Sequence, residues 1–262
     1  MKHLFDEWER IRPGLKQKNL LICLDYDGTL TPIRPSPDQA RLSEATKKIL
    51  KELAGNERVK VAVISGRSLG DIKKLIGLRS VIYSGNHGLR VQGPGIDFSA
   101  NVPKAGRKAL AEIAREFRKQ FKDFPGVIIE DKKPGITVHY RMALKKDIRR
   151  IQGLFRKALS NPLRAGSLRL QTGKMVLEAL PRIPWNKGTA VLRLLSKFGR
   201  KERGKKILPV YIGDDITDEE AFRALRHRGL TILVGPPRKS FARYHLSEVK
   251  DVSEFLKRIS AL

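Results

Sequence analysis

The sequence predicts an α/β fold: a parallel sheet covered by helices on both faces, with a smaller α+β unit inserted into it. Short, almost continuously apolar strands alternate with helical segments near both ends of the 262-residue chain, as in sheets buried on both faces. The middle of the chain reads helix, strand, strand, helix, strand, strand instead. The length fits one large domain or two modest ones.

The elements of the core follow from apolar runs and from helix signals. Ser43 is a suitable N-cap for the first helix, and Gly55 is a suitable stop. In chain order the predicted core elements are the strand NLLICLD (19–25), the helix SEATKKILKELAG (43–55), the strand RVKVAVIS (58–65), the helix SLGDIKKLIG (68–77), the strand SVIYSG (80–85), the helix KGTAVLRLLSKFG (187–199), the strand KILPVYIGDD (206–215), the helix TDEEAFRALRHRG (217–229), the strand LTILVG (230–235) and the helix SEVKDVSEFLKRISAL (247–262).

The middle of the chain has the pattern of a separate unit. Its helices are predicted at 103–121 and at about 144–159 from their apolar spacing. The first helix precedes a hairpin, GVIIEDK and GITVHYR, that turns at KPG. The second precedes another hairpin, SLRLQTG and KMVLEALP, with its turn at Thr172–Gly173. We therefore predict a core of residues 1–102 and 182–262 and an inserted unit of residues 103–181.

Composition narrows the class of protein. Hydrophobic residues make up 40% of the chain, which indicates a globular protein rather than a disordered one. A single cysteine, Cys23, excludes an intramolecular disulfide and favours a reducing compartment, with the thiol as a small buried hydrophobe. The N-terminus does not read as a signal peptide, and no apolar stretch approaches the ~20 residues of a membrane span. We expect a cytoplasmic protein with no membrane partner, and we favour a monomer.

The net charge of +27 points to anionic partners. Nucleic acid, a membrane surface and phosphorylated substrates would all satisfy that charge. The basic residues are spread over every predicted helix rather than gathered in one arm, and aromatic residues make up only 6% of the chain. No base-stacking platform is therefore evident, and a nucleic-acid partner is not favoured.

The stretch DYDGTLTP (25–32) places two carboxylates, Asp25 and Asp27, where the first apolar strand ends. An EF-hand calcium loop does not fit, because Gly28 stands fourth rather than sixth and Ser36 occupies the twelfth position. A plain turn would not require two acids at the carboxyl end of a central strand, which is where open α/β sheets bind ligands. Acids there are costly unless a metal or hydrogen-bond donors accompany them.

Four motifs in this order resemble those of the haloacid dehalogenase-like phosphohydrolases. They are DYDGTLT (25–31), VISGR (63–67), NKGTAV (186–191) and YIGDDITDEEAF (211–222). Within that superfamily the chain resembles the trehalose-6-phosphate phosphatases in GNHGL (85–89), EDKKPGITVHYR (130–141) and GKMVLEALP (173–181). It departs from the family pattern at Arg90, where an acid is common, and in the irregular segment ALPRIPW (179–185).

The resemblance implies a Rossmann-like parallel-sheet core with an α+β cap that selects the substrate. It implies hydrolysis through an aspartyl-phosphate, with Asp25 as the nucleophile and Asp27 as the general acid and base. Ser65 would hydrogen-bond the phosphate, and Lys187 would neutralise charge and hold Asp25 in place.

The expected cofactor is magnesium (Mg2+), a hard cation that prefers oxygen ligands. By resemblance, Asp25 and Asp214 supply carboxylates and Asp27 supplies its backbone carbonyl. Asp215 and Asp218 would hold metal-bound water or orient Lys187, although either Thr217 or Asp215 could serve as an N-cap.

The resemblance also assigns the substrate contacts. Without it, Glu130 and Lys132 would read as an exposed hairpin tip, and Lys174 and Glu178 as an exposed pair of little energetic weight. His139 would read as a strand residue on a polar face. The assigned positions are Thr29, Gly66, Arg67, Asn86, His87, Glu130, Lys132, His139, Arg141, Lys174 and Glu178.

The implied function is hydrolysis of trehalose 6-phosphate to trehalose and phosphate, a reaction of trehalose biosynthesis. One alternative is the same chemistry on another sugar phosphate, such as a mannosyl- or glucosyl-phosphoglycerate. A remote alternative is a non-catalytic basic module that binds nucleic acid, which the charge of +27 motivates. The expected partner is a small sugar phosphate.

Overall fold

The computed structural model describes residues 1–173, 175–199 and 207–262, with the backbone alone at Pro37. The chain falls into two compact units. Unit 1 comprises residues 1–99 and 185–262, and unit 2 comprises residues 100–184.

Secondary structure extends from a short strand near the N-terminus to a helix that ends at Ser260. The strands are β1 (Lys2–His3), β2 (Asn19–Leu24), β3 (Val59–Ile64), β4 (Ile82–Gly85), β5 (Arg90–Gly93), β6 (Ile96–Ser99), β7 (Ile128–Asp131), β8 (Ile136–His139), β9 (Leu168–Gly173), β10 (Val176–Pro181), β11 (Ile207–Gly213), β12 (Leu230–Val234) and β13 (Tyr244–Leu246). The helices are α1 (Trp8–Gln17), α2 (Glu44–Gly55), α3 (Leu69–Ile76), α4 (Lys104–Gln120), α5 (Ile148–Arg164), α6 (Lys187–Gly199), α7 (Glu219–Leu225) and α8 (Val249–Ser260).

Among the described residues, unit 1 contains a nine-stranded sheet in the order β1-β13-β12-β11-β2-β3-β4-β5-β6. The strands from β1 to β4 in this order are parallel, which confirms the predicted parallel sheet. The antiparallel extension by β5 and β6 was not predicted, because these four-residue strands bury little and only Val91 among them is fully covered. The carboxyl ends of β11, β2, β3 and β4 consequently lie along one edge.

Side chains of β2 alternate between two cores, one on each face of the sheet. Ile22 belongs to a cluster with Leu50 of α2 and Phe255 of α8. Cys23 belongs to a second cluster with Phe222 of α7, and its burial raises the pKa of the thiol. Each large side chain buried in this way contributes about 1.5–3 kcal/mol, so the sheet is stabilised from both faces, as its continuous apolar strands predict.

In its described residues, unit 2 contains a four-stranded antiparallel sheet, in the order β7-β8-β10-β9, and the two helices α4 and α5. Its apolar core includes Phe117 and Phe155, whose rings stack at 4.7 Å, together with Val138 and Leu177 of the sheet. One face of the sheet is therefore apolar, and the alternate side chains belong to the other face.

Two local predictions for unit 2 were wrong. The second hairpin does not turn at Thr172–Gly173, because β9 continues through Gly173, which pairs with Val176. Helix α5 runs from Ile148 to Arg164 rather than over 144–159, since a 3-10 turn at Lys145–Asp147 precedes it and its last turn accommodates Pro162.

Helix α1 and the short edge strands β1 and β13 were not predicted either. Strand β1 contributes only two residues to the sheet, too few for a hydrophobic pattern to show. Over the ranges that the structure describes, every helix is too short or too polar to cross a lipid bilayer.

Candidate active site

The edge of the sheet in unit 1 carries the residues that follow β11, β2 and β3. Asp25 directly follows β2, and its N–H donates to the carbonyl of Ile212 in β11 at 2.9 Å, so the ladder continues to this point. Asp214 directly follows β11, and Ser65 directly follows β3. The parallel arrangement thus places three predicted site residues at neighbouring strand ends.

Three carboxylates and one ammonium group form a buried cluster at this edge. Carboxylate oxygens of Asp25, Asp214 and Asp218 all lie within 4.8 Å of one another. The Nζ atom of Lys187, at the first position of α6, donates to Oδ1 of Asp25 and to Oδ1 of Asp218, each at 2.8 Å. All four side chains are buried, so the interactions between them are screened little by water.

Burial and the neighbouring charges shift the pKa values of Asp25 and Lys187. Burial raises the pKa of Asp25 well above its ordinary value; Lys187 opposes that shift, and the carboxylates of Asp218 and Asp214 reinforce it. Burial disfavours the ammonium form of Lys187, but the charges of Asp218 and Asp25 outweigh it and raise the pKa of Lys187. Lys187 therefore stays charged beside the three carboxyl groups.

Glycine allows the main chain to approach these acids closely. Gly28 has a φ of +91°, and a Cβ atom there would overlap the carboxylate of Asp214. Next to it, the hydroxyl of Thr29 donates to Oδ1 of Asp214 at 3.3 Å. Arg238, which the sequence did not single out, donates to the backbone carbonyl of Asp214 at 2.9 Å. The DYDGT loop is thus built against Asp214.

Asp218 is held by donors on both of its carboxylate oxygens. Besides Lys187, Oδ1 accepts from the hydroxyl of Tyr211 at 2.7 Å, and Oδ2 accepts from the N–H of Asp215 at 3.0 Å. Asp215 and Asp218 form a capping box at the turn Ile216–Asp218 that leads into α7. The cap expected at Asp215 is confirmed, and the same geometry aims Asp218 at Lys187.

Asp27 forms a two-pronged ion pair with Arg67. Nε and Nη2 of Arg67 each donate to a different oxygen of Asp27 at 2.6 Å. The guanidinium also lies 5.4 Å from the centroid of the Tyr26 ring. The side chain of Asp27 is 38% exposed, whereas that of Asp25 is 7% exposed. The two acids of the motif therefore lie in different environments, one partly open to water and one buried.

The loops after β3 and β4 bring five predicted residues together. The hydroxyl of Ser65 accepts from the N–H of Arg67 at 3.1 Å, and the carbonyl of Ser65 accepts from the N–H of His87 at 3.0 Å. The N–H of Asn86 donates to the carbonyl of Arg67 at 2.8 Å. Asn86 and His87 adopt φ values of 53° and 54°, and a Cβ atom at Gly66 would meet the His87 ring. These contacts link the predicted phosphate-binding residues to Asp27 through Arg67.

The cluster fits a hard divalent cation. Its ligand atoms would be carboxylate oxygens, which Mg2+ prefers. Three carboxyl groups face a single ammonium group, so a bound cation would supply the positive charge that Lys187 alone does not. The raised pKa of Asp25 also indicates a site suited to a cation, because burial and the neighbouring Asp218 and Asp214 disfavour a further negative charge there.

Unit 2 carries a polar row across all four strands of its sheet. The register pairs Glu130 of β7 with Thr137 of β8, Thr137 with Glu178 of β10, and Glu178 with Gln171 of β9. Glu178 is 5% exposed, and its Oε1 accepts from the hydroxyl of Thr137 at 2.9 Å and from Lys132 at 3.0 Å. Its Oε2 accepts from the amide of Gln171 at 3.1 Å. The row therefore presents fixed carboxylate, hydroxyl, amide and ammonium groups on one face.

These contacts exclude the exposed interpretations of Lys132 and Glu178 in unit 2. The side chain of Lys132 is 6% exposed, so it is not part of an exposed hairpin tip, and Glu178 is not part of an exposed pair. The sequence did not identify Thr137 and Gln171. Their pairing with Glu178 identifies them only when the strand register is known. Arg141 is exposed in the turn after β8. Lys174, predicted to bind substrate, lies outside the described residues.

Glu130 pairs with His139, whose Nε2 lies 3.0 Å from Oε2 of the carboxylate, and Lys132 lies 3.7 Å from the same oxygen. Burial opposes ionisation of Glu130, but the His139 hydrogen bond and the charge of Lys132 outweigh it and lower the pKa of Glu130. A lowered pKa means that the charged form stabilises unit 2 above the unfolded value of 4.5, and that this is lost as the pH falls through the folded value.

We therefore expect Glu130→Gln to accelerate amide hydrogen exchange of β7 and β8 at pH 7 by about threefold to tenfold. The difference from the wild type should shrink as the pH falls below 4.5 and vanish below the lowered folded pKa, where the wild-type carboxylate is neutral too. Glu112→Gln, at an exposed position of α4, should leave exchange unchanged. A difference that persists undiminished into acid would contradict the assigned role of the charge.

The chain has the fold of the haloacid dehalogenase-like class. A solved haloacid dehalogenase-like hydrolase from Bacteroides thetaiotaomicron shares this fold at a TM-score of 0.67 and 15% identity, over 92% of this chain and 100% of that one. The family model described as trehalose-phosphatase matches residues 23–250. The chain belongs to the trehalose-phosphatase family.

Relatives with high similarity agree with this assignment. The chain is 34% identical over 271 residues to trehalose-phosphate phosphatase B of Arabidopsis thaliana, which covers 98% of this chain and 70% of that protein. It is 33% identical over 252 residues to a trehalose-phosphate phosphatase of Mycobacterium tuberculosis, over 94% and 63% of the two chains. The trehalose-6-phosphate phosphatase C-terminal domain of Candida albicans superposes at a TM-score of 0.82 with 26% identity, covering 100% and 98% of the two chains.

Proposed function

We propose that the protein hydrolyses trehalose 6-phosphate to trehalose and inorganic phosphate through an aspartyl-phosphate on Asp25. The observation that carries this proposal is the buried contact of Lys187 with Asp25, next to Asp214 and Asp218, in a chain of the trehalose-phosphatase family. A phosphate ester carries negative charge that repels a nucleophile. Its hydrolysis is therefore catalysed mainly by positioning the nucleophile and neutralising that charge. This cluster supplies both.

Asp25 acts as the nucleophile in this scheme. Lys187 holds Oδ1 of Asp25, which orients the carboxylate. A bond forms between a carboxylate oxygen and phosphorus while the bond from phosphorus to the sugar oxygen breaks. Water then attacks phosphorus, which frees inorganic phosphate and restores the carboxylate. The two displacements divide one difficult hydrolysis into two easier steps.

Asp27 moves the protons in both displacements. It donates a proton to the leaving sugar oxygen and later accepts one from the attacking water. Its partial exposure suits this task, because the carboxyl group has to exchange protons with substrate and water. Arg67 orients Asp27 through two hydrogen bonds, and Ser65 and Thr29 offer hydroxyl groups to the phosphate.

Magnesium is the proposed cofactor, held by the carboxylates of Asp25 and Asp214 and by the backbone carbonyl of Asp27. When bound, Mg2+ supplies positive charge that favours ionised Asp25 and neutralises phosphate oxygens. Asp218 is assigned to orienting Lys187, because both of its oxygens already accept hydrogen bonds from the protein. Asp215 caps the following turn and stays available to hold metal-bound water.

Unit 2 is proposed to recognise the sugar. Hydroxyl groups donate and accept hydrogen bonds, so they suit a surface where carboxylates and an ammonium group alternate. Glu178, Lys132 and Glu130 provide such a surface in the polar row, and their mutual contacts fix its geometry before a sugar arrives. We propose that His139, Arg141 and Lys174 also bind substrate, and that Asn86 and His87 of unit 1 do so as well.

We expect Glu178→Gln to raise the KM for trehalose 6-phosphate by about tenfold while changing kcat by less than about threefold, because it weakens the contact that fixes Lys132 in the polar row and so weakens uniform binding of the sugar. Initial rates over a range of substrate concentrations measure both constants. Glu116→Gln, an exposed acid on α4 of the same unit, provides a matched control and should behave as the wild type. A fall in kcat at unchanged KM would contradict a role in sugar binding.

A panel of phosphorylated sugars assayed with Mg2+ and with a chelator tests the proposal. Trehalose 6-phosphate should have the highest kcat/KM, and phosphate release should stop after chelation and return when Mg2+ is restored. Equal or better turnover of glucosyl- or mannosyl-phosphoglycerate would remove the trehalose assignment while preserving the chemistry. No phosphate release from any ester would refute the enzyme as a whole. The relatives do not favour either of the alternatives raised from the sequence.

A further inference from the structure

Tyr211 is a buried phenol in β11 with no exposed surface. Its ring contacts Phe222 of α7 edge to face, with 5.7 Å between the centroids, inside the apolar cluster that also contains Val191 and Leu194. A buried hydroxyl needs a hydrogen-bond partner, since an unsatisfied one is costly. The partner of this hydroxyl therefore indicates why a tyrosine, rather than a phenylalanine, occupies the position.

The hydroxyl of Tyr211 donates to Oδ1 of Asp218 at 2.7 Å. Lys187 donates to the same oxygen at 2.8 Å, and also to Oδ1 of Asp25 at 2.8 Å. The four side chains thus form one continuous series of contacts, from a phenol in the apolar core to the proposed nucleophile. Contacts of this kind at low local dielectric are strong and directional.

The phenol stays a donor in this setting. Burial raises the pKa of Tyr211 well above its ordinary value, and the carboxylates of Asp218 and Asp25 raise it further. The ring packs against Phe222 within the apolar cluster, and this packing fixes the position of the hydroxyl oxygen. Asp218 is fixed on its other side by the N–H of Asp215.

We propose that Tyr211 is a positioning residue for the reaction: its hydroxyl fixes Asp218, and through Asp218 it fixes the ammonium group of Lys187 on Asp25. The inference rests on the proposed function, because it concerns how Asp25 is oriented for attack. Tyr211 itself is fully buried and so does not reach substrate. Its effect should therefore fall on the chemical step rather than on sugar binding.

Tyr211→Phe removes the hydroxyl alone and preserves the ring. We expect kcat for trehalose 6-phosphate to fall by about tenfold with KM within about twofold of the wild type. Tyr83→Phe is the matched control, since that buried hydroxyl in β4 donates to the backbone carbonyl of Leu78 at 2.7 Å. Both variants should lose thermal stability to a similar degree, but Tyr83→Phe should leave kcat within about twofold of the wild type.

A double-mutant cycle tests whether Tyr211 acts through Asp218. In an Asp218→Asn background, Tyr211→Phe should lower kcat by less than about twofold, because the contact it disrupts is already altered. Fully multiplied effects would overturn the inference, as would a wild-type kcat for Tyr211→Phe or an equal loss of kcat in Tyr83→Phe.

A replacement that restores a donor gives an independent measurement if Tyr211→Phe does not fold. Tyr211→para-aminophenylalanine places N–H donors where the hydroxyl lay, and its kcat should lie within about threefold of the wild type. A much larger loss in that variant would contradict the inference. The wild type serves as the reference throughout. If the wild type releases no phosphate, the proposed function fails. If the wild type is active and Tyr211→Phe has the same kcat, only the positioning role of Tyr211 is rejected.

Discussion

Asp25→Asn is expected to lower kcat for trehalose 6-phosphate by about 10⁴-fold or more, because an amide does not form the aspartyl-phosphate on which turnover depends. The residual rate would come from binding and charge neutralisation alone. Phosphate release under saturating substrate and Mg2+ measures the loss. Mass spectrometry of a rapidly quenched reaction should also find a phosphorylated wild type and an unmodified variant.

The same variant should remain folded. Asp25 lies in a cluster of three carboxylates, and burial raises its pKa well above the ordinary value, so its charge is unfavourable in the metal-free protein. Asparagine keeps the shape and removes that charge, while Lys187 retains its contact with Asp218. We therefore expect a thermal midpoint of the metal-free variant equal to or above that of the wild type, as for other active-site residues that trade stability for function.

Asp97→Asn provides the matched control, since that acid is exposed on β6 and pairs with Arg90. It should leave kcat unchanged. Residual activity of Asp25→Asn above about 1% of the wild type would reject Asp25 as the nucleophile and would require another group to attack phosphorus.

The position of the site could be predicted from the sequence because strand direction alone brings Asp25, Ser65 and Asp214 to one edge. Parallel neighbours place their carboxyl ends together, so acids that follow apolar runs meet without any detailed knowledge of packing. Tyr211 could not be found in this way. An aromatic residue inside an apolar strand reads as core, and only the tertiary structure shows that its hydroxyl reaches Asp218.

The polar row of unit 2 depends on strand pairing, which a hydrophobic pattern does not reveal. Glu130, Thr137, Glu178 and Gln171 become neighbours only through the register of three antiparallel pairs. A turn at Thr172–Gly173 would have placed Gln171 opposite residue 174, whereas the observed register places it opposite Glu178, so the misplaced turn was enough to hide this contact. Burial of Glu178 was likewise hidden, because an acid on a strand ordinarily reads as exposed.

Of the substitutions considered, Lys187→Met should lower the free energy of unfolding the most. It removes a buried ammonium group that contacts Asp25 and Asp218, and it leaves their carboxylates with less compensation in a site closed to water. Breaking a buried ion pair from one side costs about 3–5 kcal/mol, since the remaining charge stays buried. Methionine fills a similar volume, so the loss reports the charge rather than a cavity. Activity should fall together with stability, because Asp25 loses the donor that orients it.

Tryptophan fluorescence during chemical denaturation measures this loss in the unit that contains the site, because Trp8 and Trp185 both belong to unit 1. Lys197→Met is the matched control on the same helix, where the side chain is exposed, and it should change the free energy of unfolding by less than about 0.5 kcal/mol. Adding Asp218→Asn to Lys187→Met should recover part of the lost stability, since one uncompensated charge disappears with it. Equal stabilities for Lys187→Met and Lys197→Met would mean that the buried acids are neutral in the wild type, and the ion-pair description of the cluster would then be wrong.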